Sequence, residues 1–415
     1  MKMENNKQWF TLSKDVYVSS HSTGKMLLYH TKNGNSFIAS HPEHIRVVNE
    51  VYNPDNLGVI DMETYNNVNH DVLDFIEKTT QLGIGKVIEK TDDNKPLNFL
   101  PILCLQNDIE RLIETKQESL IGDKISLYLT SVTVAINSRC GQNCSNCDMI
   151  YRQTLSCSKH YGDAEMDIET IKEIIVQSSF MNVKRLNIIG GDILLYPHWD
   201  TLLDFLKKHD FSYHLFFNFN QLQIVDDLLQ LPFHKEVNIT FPFDESALLE
   251  LLQSAKARDD FSYNFFIENV THYKKVNAVI GDFGLSDYKI IPLYNGKNIA
   301  FFEENVFLNE KDILAERIEM RKIFCNQKLN SNFFGTLIFL PDGTVKANIN
   351  TPSIGRFPDE TILQLIYTEL TNNTAWRKIR AGKQCNECIY RYLCPPVGNY
   401  EMVLGKENLC NFATQ

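Results

Sequence analysis

The central part of the chain, residues 129–295, alternates short apolar strands with helical patterns, and this alternation constrains the fold more than any other feature. Six stretches are typical of strands: VTVAIN, VKRLNIIG, YHLFFNFN, VNITFPFD, SYNFFIEN and YKIIPLY. Between them lie the helical patterns DIETIKEIIVQSS, HWDTLLDFLKKHD, QIVDDLLQLP, ESALLELLQSAKA and VTHYKKVNAVIGD. Such repeats predict an α/β fold with a parallel sheet and right-handed crossovers. An open doubly wound layer and a partial barrel both satisfy the pattern, and both place their chemistry at the carboxyl ends of the strands.

Residues 1–90 predict a small winged-helix-like domain. The stretch DVYVSSHSTGKMLLYHTKNGNSFIAS is typical of hairpin strands, with Gly24 and the letters KNGN as turn signals. Two helical patterns follow, HPEHIRVVNEVY and NHDVLDFIEKTTQ, and the second stops at Gly83 before a last strand in GKVIEK. Residues 91–128 predict a linker, which begins with the polar stretch TDDNKPLN.

Residues 296–415 predict a C-terminal α+β domain. A helical pattern near residues 309–322 leads to Cys325, and the stretch LIFLPDGTVKANI predicts a hairpin with Asp342 and Gly343 at its turn. The chain then ends in a cysteine-rich segment, CNECIYRYLCPP, and one further cysteine.

Composition narrows the class of protein. The 415 residues carry a net charge of −11 and have a pI near 5.5, which argues against the basic face of a nucleic-acid-binding protein. The N-terminal MKMENNKQWF lacks a signal-peptide core, and no apolar run approaches the roughly 18 residues of a spanning helix. We therefore expect a cytoplasmic protein that binds neither nucleic acid nor membrane. Ten cysteines in a reducing compartment are expected to bind metal or do redox work.

Three of those cysteines follow the first strand of the alternating region at C-x3-C-x2-C spacing: Cys140, Cys144 and Cys147. We call residues 140–147 the three-cysteine loop. Three thiolates at this spacing hold three corners of one iron–sulfur cubane and leave its fourth iron open. The alternative is a structural zinc site, for which Cys157 and His160 lie near enough in sequence to supply a fourth ligand.

The three-cysteine loop resembles that of the radical S-adenosylmethionine (SAM) superfamily. The resemblance covers residues 129–295 and implies a partial (β/α)6 barrel. It also implies a [4Fe-4S] cluster on the three cysteines and SAM chelated to the open iron through its amine and carboxylate. In this family, reductive cleavage of SAM gives a 5′-deoxyadenosyl radical that abstracts a hydrogen atom.

Two further features bear on this resemblance. The stretch LNIIGGDILLYP is similar to the family's Gly-Gly-Glu-Pro motif, whose backbone holds the SAM amine: Gly190 and Gly191 match, while Asp192 stands for glutamate and Ile193 for proline. A tight turn into a helix is the alternative explanation for the glycine pair. Asn146 stands where the family usually has an aromatic residue near the adenine, so the resemblance implies altered SAM binding there.

Three polar residues lie near the ends of later strands, where polar SAM contacts fall in the family: Asn218, Asn220 and Thr240. Polar groups that simply satisfy hydrogen bonds at strand ends explain them equally well.

The C-terminal segment holds four cysteines that we call the four-cysteine group: Cys385, Cys388, Cys394 and Cys410. Four thiolates close one tetrahedral shell, which suits zinc or a fully ligated Fe–S cluster, and spacing alone does not choose. The group resembles the SPASM domain of radical SAM peptide-modifying enzymes, which carries two auxiliary clusters on seven cysteines. Here Asn348 and Gly398 occupy two of those positions. The resemblance therefore implies one auxiliary [4Fe-4S] cluster, with Cys325 and Cys104 as buried thiols.

Residues 1–90 resemble in pattern the PqqD-like recognition element of enzymes that act on ribosomally made, post-translationally modified peptides (RiPPs). The resemblance implies that a precursor peptide binds here through its leader, which adds a strand to the hairpin edge. A generic small cap on the barrel explains the same pattern.

Three functions follow from these resemblances. The first is a radical SAM peptide maturase, fed by an external electron donor, which forms a crosslink, thioether or similar change on a precursor peptide. The second is a non-catalytic relative that binds a peptide for another maturase, suggested by Asn146 and the altered Gly-Gly motif. The third, a sulfatase-type maturase, implies two auxiliary clusters and no leader-binding domain.

Overall fold

A nine-stranded sheet organises the computed structural model, which describes residues 7–22, 24–64, 70–91, 95–105, 108–142, 144, 146–159, 163–222, 230–255 and 258–412. Its strands are β7 (Ser131–Ala135), β8 (Arg185–Ile189), β9 (Ser212–Asn218), β10 (His234–Thr240), β11 (Phe261–Ile267), β12 (Tyr288–Pro292), β13 (Thr336–Phe339), β14 (Thr344–Lys346) and β15 (Gly355–Arg356). The strand order is β12-β11-β10-β9-β8-β7-β13-β14-β15. All six predicted strands are confirmed, and β7 to β12 pair in parallel.

The order of β7 to β12 follows the chain in one direction. A doubly wound sheet instead reverses its order at a switch point, so that alternative is wrong. Sequential parallel order is the order of a barrel. In the described chain β12 and β15 are the two ends of the sheet, which therefore stays open. The fold is mixed α/β with a mostly parallel sheet, and the carboxyl ends of six successive strands share one edge.

Six helices lie between these strands among the described residues: α4 (Cys147–Thr154), α5 (Ile168–Ser179), α6 (Trp199–Leu206), α7 (Phe219–Leu222), α8 (Glu245–Ser254) and α9 (Val270–Phe283). The amphipathic patterns predicted α5, α6, α8 and α9, whereas α4 and α7 were not predicted. The α5 helix begins at the predicted cap, because the Asp167 carboxylate accepts the backbone N–H groups of Glu169 and Thr170. Its Ile171, Ile174 and Ile175 are fully buried against the sheet. Most of the helix predicted in QIVDDLLQLP lies outside the described residues.

The N-terminal part forms two three-stranded sheets and two helices: β1 (Gln8–Leu12), β2 (Val16–Ser22), β3 (Lys25–His30), β4 (Ser36–Ala39), α1 (Pro42–Tyr52), β5 (Val59–Asp61), α2 (His70–Gln81) and β6 (Gly85–Glu89). The orders are β2-β3-β4 and β5-β1-β6. The predicted hairpins, helices and last strand are confirmed, whereas β1 and β5 were not predicted. The apolar core of this N-terminal part includes the fully buried Phe10, Val47 and Phe75.

The predicted linker, residues 91–128, is packed rather than free. Leu100 and Leu103 lie against the N-terminal core. The helix α3 (Asp108–Glu114), which the sequence prediction missed, places Ile109 and Leu112 against the core of the nine-stranded sheet. The segment therefore joins the two cores by apolar contacts.

The C-terminal part contributes to the same sheet. Strand β13 pairs in parallel with β7, with Leu337 opposite Val132, and the continuous core reaches Trp376. The predicted boundary at residue 295 consequently does not divide the sheet. The turn at Gly343 is confirmed, with a positive φ of 83° between β13 and β14.

Six further helices complete this part: α10 (Ile299–Asn305), α11 (Glu310–Leu314), α12 (Met320–Lys328), α13 (Ile362–Asn372), α14 (Lys383–Asn386) and α15 (Asn399–Leu404). The single helix predicted near 309–322 is wrong, because Asn309 caps α11 and Glu319 begins a second helix, α12, that contains Cys325. Among the described helices, none is both long and apolar enough to span a bilayer.

The N-terminal hairpin is packed against the C-terminal part. Tyr17 of β2 and Tyr29 of β3 are buried with Ile323, Tyr390 and Leu393 in one apolar cluster, which Cys388 and Cys394 also contact. The backbone N–H of Ile318 donates to the Tyr29 hydroxyl at 2.8 Å. These contacts join the N-terminal sheet to the segment that carries the four-cysteine group.

Candidate functional site

The three-cysteine loop lies at the carboxyl ends of the parallel strands. It follows β7, and its last cysteine begins α4. One cavity, which we call the loop cavity, is lined by Cys140, Cys144, Cys147, Ile150, Ser156, Cys157, Lys159, Gly190, Gly191, Phe216, Asn218, Asn238, Thr240 and Phe266. The structure thus brings the predicted cysteines and the glycine pair together, as the carboxyl-end rule predicts.

The three thiols are free and partly buried. Burial raises the pKa of Cys140, Cys144 and Cys147, and the positive charge of Lys159 opposes this rise at each. Lys159 is held in place because its Nζ donates to the carbonyl of Gln142 at 2.5 Å. Thiolate is the ligand form of cysteine, so a bound metal would displace the three protons.

Positions 190 and 191 leave no room for a side chain, so both residues must be glycine. A Cβ on Gly191 would lie 2.3 Å from the Arg139 carbonyl oxygen and 2.6 Å from that of Ser138. A Cβ on Gly190 would lie 2.4 Å from Oδ1 of Asn137. The backbone N–H of Gly191 also donates to the Asn137 carbonyl at 3.1 Å. The glycine pair therefore packs directly on the segment that leads into the three-cysteine loop.

The backbone carbonyls of the Gly-Gly-Asp stretch already accept protein donors. Gly190 accepts the backbone N–H of Ser158 at 3.1 Å, and Gly191 accepts Nε2 of Gln221 at 3.3 Å. The carbonyl of Asp192 accepts Nδ2 of Asn137 at 2.8 Å. Each carbonyl oxygen retains a second lone pair, so a ligand amine is not excluded. Burial raises the pKa of the Asp192 carboxyl, which also caps a short helical turn through the N–H of Leu194.

Asn146 is fixed by a residue that the sequence prediction missed. Its Nδ2 donates to Oε1 of Glu268 at 2.6 Å, and Nδ2 of Asn295 donates to Oε2 of the same carboxylate at 2.6 Å. Glu268 follows β11, whose predicted strand SYNFFIEN contains it, so strand-end position was the available signal. An aromatic residue at position 146 has no amide to make this contact.

Two of the three predicted strand-end polar residues line the loop cavity. Asn218 and Thr240 face it, and Nδ2 of Asn218 lies 3.9 Å from Sγ of Cys144. Asn220 is exposed and instead donates to Oε1 of Gln142 at 3.4 Å. Asn238, which the sequence prediction missed, lines the cavity beside Thr240 on β10.

The four-cysteine group also lines one cavity, together with Lys25 and Ile38 of the N-terminal hairpin region and with Arg380 and Glu310. Burial raises the pKa of Cys388, and that of Cys394 to about 12, while Arg380 opposes both. Arg380 is itself buried and forms an ion pair with Glu401 at 2.7 Å. A fixed cation beside four thiols would offset part of their negative charge on ligation.

The structure also places the remaining residues that the sequence analysis discussed as ligands or thiols. Asn348 donates to Oδ1 of Asn399 at 2.7 Å and Gly398 precedes α15, so neither offers a soft ligand. Cys325 is partly buried within α12. Cys104 is exposed, so its prediction as a buried thiol is wrong: it lies in the irregular segment between the two cores. His160 lies outside the described residues.

The spacing of the thiols bears on the metal. Zinc–sulfur bonds of about 2.3 Å place tetrahedral thiolates about 3.8 Å apart. In the part of the chain that the structure describes, one group of three or more His, Cys, Asp or Glu residues has all its donor atoms within 4.8 Å of one another, and that group contains no cysteine. Both sets of cysteines therefore keep the two alternatives, zinc and an iron–sulfur cluster, that the sequence left open.

That closer group is His214, His234 and Glu236, at the amino ends of β9 and β10. Glu236 is almost fully buried, yet its pKa is lowered to about 2: burial opposes ionisation, but His214, Lys289 and Arg185 outweigh it. Arg185 Nη2 lies 2.6 Å from Oε1 of Glu236. The charge of Glu236 is therefore balanced by neighbouring cationic side chains, at the end of the sheet opposite the cysteines.

The solved structures that are similar to the chain include three of SuiB from Streptococcus suis. SuiB bound to S-adenosylmethionine has a TM-score of 0.41 and 11% identity, covering 97% of this chain and 99% of that chain. SuiB bound to the precursor peptide SuiA has a TM-score of 0.41 and 12% identity, covering 97% of this chain and 99% of that chain. A further SuiB structure has a TM-score of 0.42 and 12% identity, covering 97% of this chain and 100% of that chain. No protein-family model and no curated protein matches the chain.

Proposed function

We propose that the protein is a radical SAM enzyme that modifies a ribosomally made precursor peptide. One observation carries the proposal: three thiols and a glycine pair line a single cavity at the carboxyl ends of a sequentially ordered parallel sheet. Cys140, Cys144 and Cys147 would hold a [4Fe-4S] cluster. Gly190, Gly191, Asp192 and Asn146 would contact SAM. When bound, the cluster and SAM supply a 5′-deoxyadenosyl radical.

The residues present fit that cofactor. The donor set is three soft thiols that line one cavity. Lys159 places a positive charge beside them and would offset the charge of the ligated thiolates. Ile150 and Phe266, both buried, give the cavity an apolar wall that would exclude water from a reactive intermediate.

A non-catalytic peptide-binding relative is the second candidate. The contact from Asn146 to Glu268 favours it, because it places a polar pair where the family has an aromatic residue. An intact three-cysteine loop with its packed glycine pair favours catalysis, since nothing in peptide binding alone needs three convergent thiols.

Cleavage of SAM separates the two candidates. Anaerobically reconstituted protein, given SAM and a strong reductant, is expected to release 5′-deoxyadenosine, whereas Cys140→Ala releases no more than a protein-free blank. Cys104→Ala is the matched control, because its thiol is exposed and lies outside the loop cavity. Chromatography of the products measures the effect. Wild-type protein that carries the cluster but leaves SAM intact would overturn the enzymatic proposal and favour the peptide-binding one.

The four-cysteine group would hold one auxiliary [4Fe-4S] cluster. All four ligands are supplied by the chain, so the cluster would transfer electrons or support the fold rather than bind substrate. An external electron donor would reduce the cluster of the three-cysteine loop. Because peptide crosslinks and thioethers require removal of an electron after hydrogen abstraction, the auxiliary cluster would accept that electron.

The leader of the precursor peptide would bind to residues 1–90 along β4. This strand ends the β2-β3-β4 sheet, so one of its edges has no neighbouring strand among the described residues. Phe37 of β4 packs against Phe75 of α2, at 5.5 Å between ring centroids, and Ile38 is 38% exposed. An extended peptide added at this edge gains backbone hydrogen bonds and an apolar contact.

Ile38→Asp is expected to weaken binding of the leader about tenfold, because it removes a partly buried apolar contact of roughly 1.5 kcal/mol. The probe is a labelled peptide encoded by a short reading frame beside this gene, measured by fluorescence anisotropy. Leu249→Asp is the matched control, since Leu249 is 37% exposed on α8, outside the N-terminal part. Equal affinities for both variants would rule out the β4 edge.

A further inference from the structure

A fourth thiol, that of Cys157, lines the loop cavity with the three predicted ligands. It lies in the segment after α4, which ends at Leu155 in a left-handed conformation with φ of 49°. The chain there turns back across the strand ends. Cys157 follows Cys147 by ten positions, with α4 between them, and the fold places it in the same cavity.

Two contacts at the neighbouring residue hold Cys157 in place. The backbone N–H of Ser158 donates to the Gly190 carbonyl at 3.1 Å, and its Oγ donates to the Asn137 carbonyl at 2.6 Å. Ser158 is itself buried. These contacts tie the backbone next to Cys157 to Gly190 and to the segment that leads into the three-cysteine loop.

Polar groups and other thiols share the cavity that Cys157 lines. A buried structural cysteine behaves as a small apolar side chain among apolar neighbours. The cavity that Cys157 lines is also lined by Ser156, Lys159, the glycine pair and three other thiols, together with the apolar Ile150, Phe216 and Phe266. Burial raises the pKa of the Cys157 thiol to about 12, and the backbone N–H of Lys159, which donates to Sγ of Cys157 at 3.5 Å, opposes that rise.

We propose that Cys157 is an exchangeable fourth ligand for the iron that the three-cysteine loop leaves open, and that SAM displaces it. This inference rests on the proposed function. The exchange is a substitution without electron transfer: the bond from iron to the Cys157 sulfur breaks, the thiolate takes up a proton, and the amine and carboxylate of SAM bind in its place. The resting cluster thus has four thiolate ligands and is protected from loss of iron.

We call a molecule capped when Cys157 is bound to the iron. Only the uncapped molecules bind SAM, so the apparent affinity for SAM equals the intrinsic affinity multiplied by the uncapped fraction. If nine-tenths of the resting molecules are capped, Cys157→Ala binds SAM about tenfold more tightly. A ligand that cannot compete with Cys157, such as the precursor peptide, is unaffected by the substitution.

The test compares anaerobically reconstituted full-length wild type, Cys157→Ala, Cys157→Ser and Cys104→Ala. Electron paramagnetic resonance of the reduced protein without SAM is the spectroscopic measurement, and the auxiliary cluster cancels in difference spectra because all four proteins retain it. We expect Cys157→Ala to change the spectrum, Cys157→Ser to change it differently because the hydroxyl is a weaker ligand, and Cys104→Ala to match wild type. With SAM bound, all four spectra are expected to coincide, and equilibrium binding gives the change in affinity.

Each other outcome overturns the inference. Identical spectra and SAM affinities in wild type and Cys157→Ala mean that the thiol is not a ligand. Failure of Cys157→Ala to assemble the cluster means that the ligand is obligatory rather than exchangeable. Wild-type protein without any cluster on the three-cysteine loop removes both this inference and the proposed function, which distinguishes that failure from the first two.

Discussion

Gly191→Ala is expected to abolish iron binding by the three-cysteine loop, and SAM binding with it. The added Cβ would lie 2.3 Å and 2.6 Å from the carbonyl oxygens of Arg139 and Ser138. Backbone atoms cannot rotate away, so the strand end and the adjoining Cys140 must shift. Overpacking of this kind costs about 1–3 kcal/mol. Because thiolate ligation requires a defined geometry, the same shift displaces one ligand from the cluster.

The matched control is Gly141→Ala in the same loop. A Cβ at Gly141 meets nothing within 4 Å, so this variant is expected to keep its iron. Iron and sulfide content, SAM affinity and the far-ultraviolet circular dichroism of both variants are the measurements. An unchanged dichroism spectrum in Gly191→Ala separates a local effect from unfolding. Normal iron content in Gly191→Ala would contradict the proposed role of the glycine pair.

Cys385→Ala is expected to halve the iron content of the protein. Two cubanes give about eight irons and eight sulfides per chain, and loss of one leaves about four. Cys385 is 7% exposed at α14, so its removal opens a shell that the other three thiols of the group cannot close. Metal analysis and labile sulfide assay measure the change.

Cys325→Ala provides the control for that experiment. Cys325 lies within α12 and does not line the cavity of the four-cysteine group, so this variant is expected to retain about eight irons. A wild-type protein with about four irons and one zinc would show that the four-cysteine group binds zinc. A fall in iron with Cys325→Ala would instead bring that thiol into a second auxiliary site.

Local pattern predicted the parts of the candidate site that depend on neighbours in sequence. The six strands, the cysteines after β7 and the glycine pair after β8 follow from apolar periodicity and from the position of each loop after its strand. The order of the strands in the sheet was decided only by the structure. Parallel pairing brings carboxyl ends to one edge, so residues such as Cys144, Gly191 and Thr240 meet there without further information.

The contacts that complete the site join segments far apart in the chain. Asn146 and Glu268 are 122 positions apart, and no periodicity relates them. Strand β13 extends the sheet beside β7 because its backbone groups find partners there, although the sequence pattern predicted it only as a hairpin. The missed helix α3 shows the same limit, since a short amphipathic stretch is stabilised by packing rather than by its own propensity.

The sequence by itself determined the set of candidate ligands: three thiols in one loop, a glycine pair one crossover later, and four more thiols near the end of the chain. Ligand type and local spacing are properties of the chain, so they needed no fold. Only the tertiary structure decided that Cys157 joins the loop cavity, that Glu268 fixes Asn146, and that the N-terminal hairpin packs beside the four-cysteine group. These contacts depend on how side chains from distant segments pack together in the interior, which the local sequence pattern does not specify.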